Sequence, residues 1–482
     1  MENAPLPMNC RNPNLSTPPE NSSRGLRWPG FLAIACLFIA LIGILLPRPN
    51  ANSPSALAAT NRLWFATSAN SQRERSARVP HFHPRGGPAP TAAEIVSGKV
   101  IEFARSRRQL LHALAGHFKV DVPDDVERFF DAVESGRWEE VDAAHKALLL
   151  SEENLNQPRS AELHQIWRAI QETWGAAREA HNWPAQTLLD YGNAILDSLR
   201  PGMVYVGGTD PGCFIPTMLN ETSDGERHIV MTQNALADGT YLDYLNFLYG
   251  ERMAAITHED SQRAFQEYLA DGQKRLEHDQ QFPDEPKQLR PGEDTKMVDG
   301  RVQVSGQVAV MAINEKMFQM LLDKNPDLSF AIEQSFPFKS TYASATPVGP
   351  IMELRVQNEQ NALTAERAAQ SVDYWRAAAQ QLLSDPETPD GSDPRKAYSK
   401  LVSEQAELFL DRKYPAEAEQ AFRIANEICP SSPEAVFRYV NLLTGQNRFQ
   451  EAVQVGENAV KAAPENLQFR DLLDRLKQMK KG

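Results

Sequence analysis

The sequence predicts an α/β domain with a mostly parallel sheet, followed by helical repeats and preceded by one N-terminal transmembrane helix. Three observations lead to this prediction. An uncharged apolar run lies near the N-terminus, short β-type runs alternate with helical patterns in the middle, and the C-terminal part is self-similar. At 482 residues the chain is also too long for one ordinary hydrophobic core.

These patterns divide the chain into seven parts. We expect a cytoplasmic tail (1–27), a transmembrane anchor (28–47), a disordered tether (48–93), a helical region (94–200), the α/β domain (201–360), a helix and linker (361–396), and the repeats (397–482).

Composition excludes several classes of protein. The net charge of -13, with no cluster of basic residues, predicts no nucleic-acid partner. The four cysteines form neither a disulfide framework nor a metal-binding pattern, so we expect no metal site. No sequence fingerprint identifies a cofactor, which leaves the cofactor unknown.

The apolar run at residues 28–47 contains about twenty uncharged residues, enough to cross the hydrocarbon layer. Arg24 and Arg27 precede it and Arg48 follows. This bias favours a single-pass protein with a cytoplasmic N-terminus and its bulk in the periplasm. The alternative is a cleaved signal peptide, because residues 56–58 match the small-residue cleavage pattern.

Self-similarity with a 34-residue period marks the C-terminal part. The matching pairs are Val402 and Val436, Phe409 and Leu443, Ala418 and Ala452, Ala425 and Ala459, and Pro430 and Pro464. This period predicts tetratricopeptide-type repeats, each made of two antiparallel helices with small residues where the helices cross. Such repeats usually bind a protein or peptide partner, and the alternative is a generic pair of helical hairpins.

Short β-type runs at 203–206, 227–232, 328–332 and 351–356 are separated by helical patterns. A strand, helix, strand order implies parallel neighbours joined by a right-handed crossover, so we expect a Rossmann-like sheet. Pro347 and Pro350 favour an edge position for the last strand.

Two polar loops follow the first two predicted strands, where parallel sheets commonly bind ligands. Glycines there would allow close backbone approach, and helix-start amides could hold an anionic or hydroxyl-rich group, including a carbohydrate. The candidate ligand-binding residues are Gly207, Gly208, Thr209, Asp210, Asn234, Asp238 and Tyr241. The competing interpretation is structural, with the glycines forming turns and the Asp and Asn side chains capping helices.

Several stretches resemble a bacterial family of membrane-anchored proteins that join this α/β domain to tetratricopeptide repeats. They are YVGGTDPGCF, MTQNALADGTYLDYL, EDSQRAFQEYL, GQVAVMAIN and SFAIEQSFP, within residues 199–356. A related domain follows the multi-pass regions of protein O-mannosyltransferase-like glycosyltransferases. The chain departs from the family by having Cys213 where an arginine is usual, and by retaining only Tyr342 of an aromatic-rich stretch.

We therefore expect a non-enzymatic scaffold or protein-interaction component whose repeats bind a partner and whose α/β domain binds a ligand. The alternative is a glycosyltransferase, or a subunit associated with one, acting on envelope proteins or lipids. In that case Asp210 and Asp238 would contact a metal ion or sugar, or act as a base. This alternative depends on the resemblance alone.

Overall fold

The computed structural model describes residues 89–150, 161–290, 292–298, 301–355 and 362–479, and most of them are helical. The helices are α1 (Ala92–Phe118), α2 (Asp124–Ser135), α3 (Trp138–Leu150), α4 (Ala161–Asn182), α5 (Ala185–Leu196), α6 (Asp210–Glu221), α7 (Gly239–Tyr249), α8 (His258–Gln281), α9 (Gln307–Lys324), α10 (Ala365–Ser384), α11 (Asp393–Asp411), α12 (Pro415–Ile428), α13 (Pro433–Gly445), α14 (Phe449–Ala462) and α15 (Leu467–Met479). The strands are β1 (Val204–Gly207), β2 (Ile229–Thr232), β3 (Asp294–Val298), β4 (Arg301–Ser305), β5 (Phe330–Ile332), β6 (Ala345–Val348) and β7 (Ile351–Leu354).

The predicted membrane placement requires correction. Within the described ranges, no helix is both long enough and apolar enough to cross a bilayer. The long helices α1 and α8 carry charged side chains along their length, and α8 reads HEDSQRAFQEYLADGQKRLEHDQQ. The anchor predicted at 28–47 lies outside the described residues. Among the described residues, the prediction of a single-pass membrane protein with a periplasmic bulk thus finds no spanning helix to support it.

The prediction of a mostly parallel, Rossmann-like sheet is wrong. The five-stranded sheet has the order β2-β1-β5-β7-β6, and only the β1–β2 and β1–β5 pairs are parallel. The β5–β7 and β6–β7 pairs are antiparallel, and β3 and β4 form a separate two-stranded sheet. The result is a small mixed sheet within a mainly helical chain.

The antiparallel half of the sheet follows from a tight turn. Strands β6 and β7 are joined by Gly349 and Pro350, and Gly349 adopts a φ of 54° that favours glycine. A connection of two residues can join only antiparallel strands, because a parallel crossover needs a dozen or more. The returning strand β7 then pairs with β5, which leaves β6 at the edge of the sheet.

The N-terminal helices cover the β1–α6–β2 unit. Helix α6 joins the two parallel strands and packs against α1, α4 and α5. A buried ion network lies at this junction. Glu172 of α4 binds Arg107 of α1 at 2.8 Å and Arg168 of α4 at 2.9 Å. The Tyr244 hydroxyl on α7 donates to the same carboxylate at 2.8 Å.

Electrostatics keep this buried carboxylate charged. Burial alone would raise the pKa of Glu172, but the Arg107 and Arg168 guanidinium groups and the Tyr244 hydroxyl hold the pKa below its ordinary value. Only 5% of Glu172 is exposed. Water therefore cannot readily replace this carboxylate as the partner of the two arginines. The network therefore ties α1, α4 and α7 into one unit.

The C-terminal part forms two helical hairpins, α11–α12 and α13–α14, followed by α15. Small residues are fully buried where these helices cross, among them Ala418, Ala425, Ala452 and Ala459. Helix α10 packs on α12, and α11 packs on β7. The first hairpin thus packs both on its neighbouring helices and on the sheet.

The Glu172 network predicts a large loss of stability when the anion is removed. Glu172→Gln leaves Arg107 and Arg168 buried without a full counter-charge, and we expect the free energy of unfolding to fall by about 3–5 kcal/mol. Urea unfolding followed by tryptophan fluorescence measures this change. As a matched control, Glu267→Gln breaks the exposed Glu267–Lys316 pair and should cost about 1 kcal/mol or less. Equal losses in the two variants would contradict the proposed importance of burial.

Candidate functional site

The loop after β1 binds an anion, and that anion is a side chain of the protein itself. Glu333, one residue beyond β5, places its Oε2 atom 3.0 Å from the Gly208 amide and 3.3 Å from the Thr209 amide, and both amides donate. The Thr209 hydroxyl donates to Oε1 and accepts from the Gly212 amide at 3.0 Å. Thr209 is the N-cap of α6, so the carboxylate also lies at the positive end of that helix.

The glycines of this loop make room for the protein's own atoms. A Cβ on Gly208 would lie 1.9 Å from Gln233 Nε2 and 2.3 Å from the Ser335 amide nitrogen. A Cβ on Gly212 would lie 1.6 Å from Glu333 Oε2. Neither glycine has a positive φ. The predicted close approach at Gly208 is therefore made by the Gln233 side chain, which follows β2, and by the segment after β5.

Three of the predicted residues are joined by hydrogen bonds. Asn234, which follows β2, donates from Nδ2 to the Gly208 carbonyl and accepts at Oδ1 from the Ser335 hydroxyl at 2.7 Å. Thr209 is linked to this group indirectly, through its hydrogen bonds to Glu333. The loops after β1 and β2 therefore converge at the same edge, as expected for parallel strands with Gly207 opposite Thr232.

The other predicted residues have separate partners. Asp210 is the first residue of α6 and forms an ion pair of 2.8 Å with Arg178 of α4. Asp238 is exposed and caps α7 by accepting from the Thr240 amide at 2.9 Å. Tyr241 is buried, and its hydroxyl accepts from the Thr232 amide at 2.8 Å.

Each of the seven candidate ligand-binding residues thus has a partner within the protein. Their role in binding a ligand stays a prediction. The interpretation as turns and helix caps accounts for Thr209 and Asp238 directly. In the described part of the chain, no group of three or more His, Cys, Asp or Glu side chains is arranged to hold a metal ion.

Sequence reasoning missed Glu333, whose carboxylate fills the loop after β1, and Arg178, whose guanidinium neutralises Asp210 at the start of α6. Glu333 directly follows the buried run Phe330–Ile332, so an acidic residue at the carboxyl end of a strand was an available signal. Its partners lie about 125 positions earlier in the chain, and spacing alone could not identify them. Arg178 belongs to a helix whose face toward α6 becomes evident only in the fold.

The same edge of the sheet meets the first helical hairpin through a second buried carboxylate. Glu404 of α11 accepts from the Gln334 amide at 2.9 Å and is 3% exposed. Burial first, and then the nearby Glu333 carboxylate, raise the pKa of Glu404 well above its ordinary value. Gln405 of α11 also donates to the Gly349 and Ile351 carbonyls of the α/β part, and Arg412, the residue after α11, donates to the Tyr342 and Ala343 carbonyls.

Comparison of the chain with protein-family models, curated proteins and solved structures finds no match. The functional argument therefore depends on the geometry of the described residues.

Gly208→Ala tests whether the loop is packed as closely as its contacts indicate. The new methyl group would meet backbone atoms that cannot rotate away, so we expect a loss of about 1–3 kcal/mol in the free energy of unfolding. Gly98→Ala is the matched control, because Gly98 lies exposed on α1 with no atom near its Cβ position. That change should be neutral or stabilise the protein by up to about 1 kcal/mol. A Gly208→Ala protein that unfolds at the parent's urea concentration would exclude this packing.

The Glu404→Gln variant tests whether the buried carboxyl group of Glu404 carries a proton in the folded protein. Below an unfolded-state pKa of about 4.3, folded and unfolded chains both carry the proton and folding has no pH-linked cost. As pH rises, the unfolded chain loses the proton first, and stability falls by about 1.4 kcal/mol per pH unit until the folded-state pKa is reached. Glutamine has no proton to lose.

The stability of Glu404→Gln relative to the parent should therefore increase between pH 4.5 and pH 8, as measured by urea unfolding at each pH. Glu465→Gln, at an exposed position before α15, should show a constant difference. A constant difference for Glu404→Gln as well would mean that Glu404 is ionised in the fold.

Proposed function

We propose that this chain is a protein-interaction component whose second helical hairpin binds a segment of a partner polypeptide. One observation carries the proposal. The first hairpin already holds a polypeptide segment of this chain, and the equivalent face of the second hairpin carries the exposed side chain of Asn441 beside the partly exposed side chains of Glu434 and Arg438.

The two faces correspond through the 34-residue period. On α11, the side chains of Lys400, Glu404, Glu407 and Asp411 lie on one helical stripe. Their counterparts on α13 are Glu434, Arg438, Asn441 and Gly445. The two stripes lie side by side, since Lys400 approaches Glu434 at 3.8 Å and Glu407 approaches Arg438 at 4.0 Å.

The α11 stripe contacts the irregular segment that follows β5. Glu404 of the stripe accepts from the Gln334 amide, and Arg412, the residue that follows α11, donates to the Tyr342 and Ala343 carbonyls at 2.9 Å. These bonds involve main-chain atoms, so they recognise a polypeptide backbone rather than one particular side chain. The first hairpin is consequently occupied within the molecule.

The α13 stripe differs in exposure. Asn441 is exposed and the Arg438 side chain is 15% exposed, whereas Glu404, the counterpart of Arg438, is buried and accepts from the Gln334 amide. The guanidinium of Arg438 can donate to main-chain carbonyls or to a carboxylate, and the Asn441 amide can both donate and accept. This set of groups suits an extended peptide with at least one acidic residue.

The packing of α11 dictates how the proposal is tested. Deleting 397–482 would expose β7 and leave the Gln334 amide unpaired, so loss of binding in that fragment would report misfolding. Single substitutions on the α13 surface leave those contacts intact.

Site-specific photocrosslinking in cells provides the test. A benzophenone amino acid at Asn441 should yield one discrete protein adduct, and Arg438→Ala in the same chain should reduce its yield severalfold. The matched control places the benzophenone at the exposed Asn458 on α14, where no adduct is expected. An adduct from both positions, or from neither, would contradict partner binding at the α13 face.

A further inference from the structure

The β3–β4 hairpin is a small antiparallel sheet of its own, separate from the five-stranded sheet. Its pairing runs from Asp294 opposite Ser305 to Val298 opposite Arg301. In the described part of the chain, each of these two strands pairs with the other and with no further strand. Alternate residues of each strand therefore direct their amide and carbonyl groups away from the hairpin, where another strand can pair with them.

The hairpin is anchored on helix α8. Gly272 of α8 lies beneath both strands, because a Cβ at that position would lie 3.6 Å from Val304 and 3.7 Å from Thr295. At the start of β3, the buried side chain of Glu293 accepts a hydrogen bond from Arg275 of α8 at 2.5 Å. The strand edge is thus held in place before it meets a partner, which lowers the entropy cost of binding.

Helix α9 covers one side of this arrangement. It directly follows β4, packs on β4 and on α8, and pairs Lys316 with Glu267 of α8 at 2.9 Å. The other flank of α8 carries Gln262, Gln266 and Gln273, which are exposed, uncharged and on one helical stripe. The edge of the hairpin that lies away from α9 is therefore β3.

The charges of β3 are self-complementary in an antiparallel pairing. When Thr295 lies opposite Thr295 of a second copy, Asp294 of each copy lies opposite Lys296 of the other. Both side chains are more than half exposed, and within one chain they form only a long contact of 3.5 Å. Opposite charges that face each other across two strands stabilise a sheet, so this register provides two favourable pairs.

Two further observations favour the same register. The Thr295 hydroxyl is buried and has no hydrogen-bond partner among the described residues, and a facing threonine would supply one. Because α8 lies beneath the middle of the hairpin, two strand spacings of about 4.8 Å would place the two α8 helices about 10 Å apart. Helices pack at about 8–10 Å, so the glutamine flanks of α8 would meet without a gap.

We propose that this chain forms a two-fold symmetric dimer in which the β3 strands of two copies pair antiparallel. The two hairpins then form one four-stranded sheet above two α8 helices. The occupant of the edge is a second copy because the charges at Asp294 and Lys296 complement β3 itself. Met297, which is 46% exposed, would gain cover from the second strand. This surface is separate from the α13 face and does not depend on partner binding there.

Sedimentation velocity of the full chain over a range of concentrations measures the dimer. Lys296→Asp would place like charges opposite each other twice, so we expect the dissociation constant of the dimer to rise about tenfold or more. Adding Asp294→Lys to that variant restores opposite charges and should return the constant to within about threefold of the parent. Lys274→Asp is the matched control, since Lys274 is exposed on the side of α8 away from the hairpin and the charge change is equal.

Disulfide cross-linking tests the register. Thr295→Cys would place two cysteines across the two-fold axis with Cα atoms about 4.5–5.5 Å apart, a distance that a disulfide can bridge. Mild oxidation should then give a covalent dimer in non-reducing electrophoresis. Gln303→Cys, at an exposed position on β4, and the parent chain are the controls and should give none.

Melting curves confirm that each variant is folded. A chain that stays monomeric at its highest soluble concentration would overturn the proposal. A dimer that Lys296→Asp does not weaken, or equal cross-linking from positions 295 and 303, would overturn it as well.

Discussion

The Glu333 carboxylate is the contact on which the described α/β core depends. Its oxygens accept from the loop that starts α6, and the next residue, Gln334, donates its amide to Glu404 of α11. A single turn of chain after β5 therefore joins β1, α6 and the first helical hairpin. Because 1% of Glu333 is exposed, its charge is balanced by amides, a hydroxyl and a helix N-terminus rather than by water.

This arrangement changes how the polar loop should be understood. Amides at a helix start are a common binding site for anionic ligands, and here the protein supplies the anion. The hydrogen bonds that offset the cost of burying this charge can form only because residues 208 and 212 are glycines, which have no side chain in the space that the carboxylate and its neighbours occupy.

Local patterns predicted local structure well. The β-type runs at 203–206 and 227–232 form β1 (Val204–Gly207) and β2 (Ile229–Thr232). The mixed sheet was missed because the pairing of β7 with β5 depends on a hairpin whose partner could not be inferred from alternation alone. The role of Glu333 was missed because its contacts are far away in sequence. The occupied first hairpin was missed because the repeat pattern carries no information about neighbouring domains.

The separation of 125 positions between Gly208 and Glu333 also matters during synthesis. At a translation rate of about 5–20 residues per second, β1 leaves the ribosome roughly 6–25 s before the strand and carboxylate that complete its second side. During this interval its hydrophobic edge and loop amides have only water or other chains as partners. Nascent chains and truncation products that end before residue 333 therefore combine an open strand edge with unpaired amides, which is the combination that favours association between chains.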